Sequence, residues 1–265
     1  MADTTHSQIH VPFGAGAVVA DTFSVFFKKI HVVILLGFIP ALFEVIVNSY
    51  ALNQSAETLP GTDFVSSAFT FTTAIATLVT LVVSSVTTAM VIQLAYDAKL
   101  GRSVQIAAYF LAAVRNLPAI VVLSVVASIL YMFGMLLLII PGVWLFAVFS
   151  VLVPAIVIDG AGFRALQRSA QLTKDYRWPI VGTLILVFFC IFLVMIVFGF
   201  ILAALLGLFS DTGTSTSSIG LWMIPETVIS AIGYGWSGFA IAMIFARLKE
   251  IKEGVSVSDL VDVFK

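Results

Sequence analysis

The stretch WPIVGTLILVFFCIFLVMIVFGFILAALLGLF, residues 178–209, contains no charged side chain, and it decides the fold class. About 20 apolar residues suffice for a helix to cross the hydrocarbon core of a bilayer. No water reaches that core, so a crossing segment must satisfy its own backbone N–H and C=O groups, which a helix does. Five further runs meet or approach the requirement: residues 30–47, 69–94, 118–140, 143–158 and 220–246. The sequence therefore predicts an all-α integral membrane protein with six transmembrane helices. Residues 178–209 exceed one bilayer thickness, which predicts a tilt, or a break near Gly199 or Gly207. Pro141-Gly142 predicts a tight turn joining the third and fourth runs at the outer face.

Composition agrees with this class. Apolar residues make up 61% of the chain and charged residues 10%, against about a quarter charged in an ordinary soluble domain. So few charges cannot cover a water-exposed surface, and most of the surface must face lipid. A net charge of -1 argues against a nucleic-acid binder, which needs a basic face. The one cysteine, Cys190, lies inside an apolar run and supplies neither an internal disulfide nor a metal cluster. The first apolar run begins after residue 29 and others follow, so it reads as a first anchor rather than a cleaved signal.

Charge asymmetry sets the expected orientation. The thirteen Lys and Arg residues all fall on one side of this topology, and the polar stretches 48–63 and 210–218 on the other side carry none. Basic residues mark the cytoplasmic side. The expectation is an even number of crossings with both termini in the cytoplasm. The chain divides into an N-terminal tail (1–13), one helical membrane domain (14–246) and a cytoplasmic C-terminal tail (247–265).

Three segments that precede apolar runs are too polar to cross: 14–29, 101–117 and 160–177. In the first, Val19, Phe23, Phe26, Phe27 and Ile30 share a helical face. In the second, Ile106, Phe110, Ala113 and Leu117 do so, and in the third Phe163, Leu166, Ala170 and Thr173 form a weaker stripe. Such helices lie in the membrane interface, so three cytoplasmic-face amphipathic helices are expected. Lys29-Ile30-His31, Asn116-Leu117-Pro118 and Arg177-Trp178-Pro179 occupy matching places, which suggests a threefold repeat of interfacial helix and two spans. The rival explanation is three similar elbows of independent origin.

Between residues 116 and 182 the sequence reads Asn116-Leu-Pro-Ala119, the hairpin Leu138-Ile-Ile-Pro-Gly-Val-Trp144, Val153-Pro154, Ala165-Leu-Gln-Arg-Ser169, Leu172 and Arg177-Trp178. This middle third resembles the bacterial membrane-domain family found attached to some glycerophosphodiester phosphodiesterases, together with its stand-alone relatives. The resemblance implies a six-helix module of the bacterial inner membrane with interfacial elbows. It does not imply phosphodiesterase chemistry, which in such proteins sits in a separate soluble barrel with paired His and metal-binding carboxylates. The three His here, at 6, 10 and 31, have no carboxylate cluster nearby.

Four groups of residues are candidates for function. Arg164, Arg168, Lys174 and Arg177 crowd the third amphipathic segment, with Asp159 and Asp175 beside them. Arg grips phosphate with two bonds, so the group is a candidate for anionic lipid headgroups; plain topology anchoring would need only the charge. Glu44 and Glu226 are acids placed within apolar runs, each near a proline. They read as a protonatable pair or polar contact, or as acids hydrogen-bonded near the outer surface. Thr70, Thr73, Thr77, Thr80, Ser84 and Thr87 share one face of the second run. They read as the wall of a polar path, or as hydroxyls bonded to their own helix that allow close packing.

Gly199, Ala203 and Gly207, and Gly238, Ala242 and Ala246, are small-residue rows expected at helix contacts, within the chain or with another copy. Trp144, Trp178 and Trp222 are expected in the interfacial belt, and Trp236 deeper and packed. No phosphate-binding glycine loop, metal-ligand spacing or nucleophile elbow occurs in the sequence. The expectation is a non-enzymatic protein without cofactor or metal. It would contact membrane phospholipid and scaffold or stabilise membrane assemblies, with a homo-oligomer or another membrane protein as partner. The alternative is a transporter or flippase component with a polar path through Glu44, Glu226 and the hydroxyl face.

Overall fold

The computed structural model describes residues 12–57, 71–207 and 218–254. Thr70, His6, His10, Lys265 and most of both expected tails lie outside the described residues. For Thr73, Ala203, Gly207, Trp222 and Glu226 only the backbone is described. Eight α-helices and no strand occur among the described residues: α1 (Ala15–Glu57), α2 (Phe71–Lys99), α3 (Ile106–Leu137), α4 (Ile139–Phe149), α5 (Leu152–Val157), α6 (Ala165–Leu172), α7 (Arg177–Gly207) and α8 (Ser218–Glu253). Six segments are long and apolar enough to cross a membrane, with α4 and α5 together forming the fourth. The chain is an all-α, multi-pass membrane protein.

α1 and α8 form the axis of the fold and run antiparallel. The carbonyl of Phe13 accepts from Arg247 at 3.1 Å. Phe26 meets Phe239 at 5.5 Å and Trp236 at 5.1 Å between ring centroids. Close approach continues at Gly37, where a Cβ would stand 3.2 Å from that of Ala231. α2 lies parallel to α8, with Gly238 against Val91 and Tyr96 on Phe245. Phe26, Ile92, Leu94, Phe239, Phe245 and Leu248 are fully buried between these three helices. A second core joins α3, α5 and α6 through Ala113, Ile120, Leu123, Ala155, Ile156 and Ala165. α7 is the least covered: 6% of its most apolar window is buried, against 56% in α8, so its surface is left for lipid.

Several expectations change. Residues 14–29 are not a separate surface helix, because α1 runs unbroken from Ala15 to Glu57. Val18, Val19 and Phe26 are buried in the main core, so this apolar face meets protein rather than acyl chains. Residues 106–117 likewise continue into α3, through Pro118. Only the third segment stands apart, as a 3-10 turn (Gly162–Arg164) and α6. The first two segments thus run on into the following helix and the third does not, so the structure does not confirm a threefold repeat of one unit.

The turn between the third and fourth runs is Leu138 alone, extended at φ -164 and ψ 146. Pro141 falls inside the first turn of α4, where its missing N–H costs nothing. Gly142 is required by contact: a Cβ there would stand 2.4 Å from Met135 Cγ. α7 passes Gly199 without a break, and α8 continues past Arg247 to Glu253, well into the expected tail.

Candidate lipid-contact site

The four basic residues of the third amphipathic segment separate into two kinds. Arg168 is committed to protein. Its Nε donates to Asp159 Oδ2 at 2.8 Å, and its Nη2 donates to Glu253. Asp159 Oδ1 accepts from Lys249 Nζ at 2.6 Å. Burial disfavours the charge on Arg168, but its bonds to Glu253 and Asp159 outweigh that penalty and raise its pKa. Lys252 pairs with Asp175 at 3.0 Å and lies 5.5 Å from the Tyr176 ring. These contacts fasten α6 across the end of α8. The hydroxyl of Ser169 donates to Val148 O at 2.7 Å and seats the other side of α6 on α4, while that of Thr173 donates to Ser169 O at 2.9 Å.

Arg164 and Lys174 are exposed and have no ion-pair partner among the described residues. Arg177, at the first position of α7, places its guanidinium carbon 4.2 Å over the Trp144 ring. Its Nε is buried and has no hydrogen-bond partner in the structure. A buried donor without an acceptor is costly, and here it is part of a fork that suits a phosphate or carboxylate. Stacking on an indole fixes the plane of that fork. Trp144, expected in the interfacial belt, therefore has a specific contact that its spacing in the sequence did not reveal.

One turn along α7 from Arg177, Val181 opens a cavity of about 560 Å³ between α4, α7 and α8. Val143, Leu184, Phe188, Trp236 and Ile241 line it, and Ser237 supplies a hydroxyl. The cavity is apolar; of its lining residues, Val143 adjoins Trp144 and Val181 lies one turn from Arg177. Trp236 is 3% exposed and packs edge-on to Phe23 at 4.3 Å, as its expected depth implied. Its Nε1 is buried without a hydrogen-bond acceptor.

The other candidate groups are dispersed. Glu44 accepts from Tyr234 Oη at 2.5 Å, which ties α1 to α8. Tyr234 carried no marker of this role in the sequence. The side chain of Glu226 is outside the described residues, so its distance from Glu44 is not part of the site. On α2, Ser84 and Thr87 donate to Leu81 O and Val83 O of their own helix. Thr77 is exposed. Thr80 Oγ1 is buried without a partner. Gly238 and Ala242 pack inside the chain, Gly238 directly on Val91. A Cβ at Gly199 would meet nothing within 4 Å, so that position on α7 is open. No cluster of three metal-ligating side chains occurs among the described residues. No family model, curated protein or solved structure matches the chain.

Proposed function

We propose that this is a non-enzymatic protein of a bacterial inner membrane that holds anionic phospholipid at its basic, cytoplasmic face. Arg177 with Trp144 binds the headgroup, Arg164 and Lys174 add charge, and the cavity behind Val181 takes an acyl chain. Arg168 positions α6 rather than gripping lipid. The carrying observation is the Arg177 fork, stacked 4.2 Å over Trp144 with its Nε buried and unpaired. The bacterial assignment draws on the resemblance of residues 116–182 alone, and orientation draws on the charge asymmetry. The wider role this supports is scaffolding or stabilising membrane assemblies.

The test is native mass spectrometry of the protein released from nanodiscs made with a phosphatidylglycerol and phosphatidylethanolamine mixture. Wild type is expected to retain phosphatidylglycerol stoichiometrically. Arg177→Ala should lose it by about fivefold, from roughly 1 kcal/mol per basic residue near an anionic leaflet. Equal retention in both proteins would reduce the basic residues to topology anchors.

A second reading, a transporter or flippase component, draws on the Glu44–Tyr234 bond inside an apolar segment. The nearest groove, about 720 Å³ between α1, α2 and α3, is lined by Leu36, Pro40, Phe43, Val83, Met90 and other apolar groups. Its hydroxyl, Thr87, is already bonded to Val83 O. The described residues thus offer this reading less support than the lipid site.

A further inference from the structure

The upright helices calibrate depth along the bundle. Val91 of α2 lies at Gly238 of α8, and Tyr96 at Phe245. Phe26 and Phe27 of α1 lie at Trp236, with ring centroids 5.1 and 6.5 Å away, so the neighbouring Lys28 and Lys29 mark the same level. Beyond that level α2 retains residues 71–90 and α8 residues 218–236, and α7, whose Phe188 lines one cavity with Trp236, retains residues 188–207. Each is close to the about 20 residues of one crossing, and α1 has more than enough.

The α3–α5 hairpin does not follow these helices outward. Near its start, the Tyr109 carbonyl accepts from Gln93 and its hydroxyl donates to Asp97 at 2.8 Å. Eighteen residues on, a helix climbing beside α2 would have carried Ala127 about 27 Å away. Instead Ala127 and Tyr131 line one cavity of about 200 Å³ together with Ile241 and Leu184. Ile241 sits between Gly238 and Phe245, so Ala127 is still at the level where Tyr109 began. The return limb of the hairpin agrees. Val148 O accepts from the Ser169 hydroxyl of α6 at 2.7 Å. Asp159 meets Lys249 at 2.6 Å. Positions 109, 127, 148 and 159 thus all lie on the basic side of the level marked by Trp236.

The free end of this hairpin is apolar and uncovered. Leu136, Leu137, Leu138, Ile139 and Ile140 are 82, 77, 69, 72 and 67% exposed. No polar side chain interrupts them, and the turn closes on its own backbone, Leu138 N–H donating to Gly134 O at 3.1 Å. A turn that emerged on the far side of a bilayer would present these five side chains to water.

We propose that α3, α4 and α5 lie in the membrane plane, embedded in the leaflet on the basic side, and that α1, α2, α7 and α8 alone cross. The partner of the exposed hairpin face is the acyl-chain layer of that leaflet. The parity of crossings, and hence the shared side of both termini, is unchanged. This placement rests on the membrane reading and is independent of the Arg177 lipid site.

The test uses full-length Leu138→Cys in a Cys190→Ala background, with bimane on the introduced thiol, in vesicles with nitroxide lipid confined to one leaflet. Quenching is expected from the leaflet on the basic side and not from the opposite one. Quenching from the opposite leaflet alone would overturn the proposal. So would labelling of the introduced thiol by impermeant maleimide from the side opposite the basic end, at the rate of a Thr214→Cys control. Because Leu138 is a 69% exposed tip residue, its replacement leaves the packed core untouched. Loss of lipid retention in Arg177→Ala with this quenching pattern intact would separate the headgroup site from the topology.

Discussion

Asp159 holds the Lys249 ammonium at 2.6 Å through one carboxylate oxygen while the other binds Arg168 at 2.8 Å. Its side chain is 9% exposed, against 30 and 23% for its partners. Asp159→Ala leaves Arg168 and Lys249 side by side with Glu253 as their shared acid. Breaking a fully buried pair costs roughly 3–5 kcal/mol, and the remaining exposure of Arg168 and Lys249 reduces this to about 2 kcal/mol. The thermal midpoint in detergent should fall by several degrees, and it should stay within about one degree in the exposed control Arg164→Ala. An unchanged midpoint in Asp159→Ala would remove the network from the account of how α6 is fixed to α8.

Gly235 leaves less room for a side chain than the other described glycines on the α1–α8 seam. A Cβ there would stand 2.1 Å from Val33 Cγ1 and 3.0 Å from Phe26 Cε2. Val33 is β-branched and stiff in a helix, so it cannot rotate away. Gly235→Ala should destabilise by about 1–3 kcal/mol despite its better helix propensity. The double variant with Val33→Ala should recover most of the loss, a coupling that a thermal-melt double-mutant cycle measures directly. Additive losses would show that the contact is not the cause.

The contrast between Gly235 and Gly238 shows what the sequence made legible. Gly238, Ala242 and Ala246 stand four apart, so they announce a helix contact, and Gly238 does meet Val91. Gly235 stands outside that row, in the single pair Ala231 and Gly235, yet its contact is tighter. The apolar runs, their helicity and the one-sided placement of basic residues follow from composition, because the bilayer imposes them segment by segment. Whether an amphipathic stripe meets lipid or protein is not a segment property. The Phe26 stripe found Phe239 and Trp236, more than 200 positions away, and α1 runs unbroken through Lys29. Arg168 was legible as basic, but its pairing with Glu253 depends on where the end of α8 comes to rest.

Tyr234 is the donor that satisfies Glu44 within the apolar part of the bundle, at 2.5 Å. Tyr234→Phe removes that donor and leaves the carboxylate to desolvation, at a cost of about 1–3 kcal/mol. Glu44→Gln keeps an oxygen acceptor for the same hydroxyl and should cost well under half as much. Chemical denaturation in mild detergent reads both. Equal losses in the two variants would mean that shape, rather than the hydrogen bond, matters at this position.

Gly233 offers a way to fill the lipid cavity without touching a charge. It lines the space between α7 and α8, and a Cβ built on it meets nothing within 4 Å. Gly233→Leu should therefore extend into the cavity without strain. It should leave the thermal midpoint unchanged or raise it, since glycine in a helix interior costs up to about 1 kcal/mol. Displacing two or three acyl methylenes costs the lipid about 2 kcal/mol, more than a tenfold loss of occupancy. Both anionic and zwitterionic lipid should be lost, because the acyl chain is common to them. Arg177→Ala, which keeps the cavity and removes the fork, should instead lose the anionic lipid selectively. Native mass spectra of the two variants side by side separate the contributions of cavity and charge. Undiminished lipid in Gly233→Leu would mean that the chain lies on the outer surface of α7 and that Arg177 holds a headgroup without a pocket behind it.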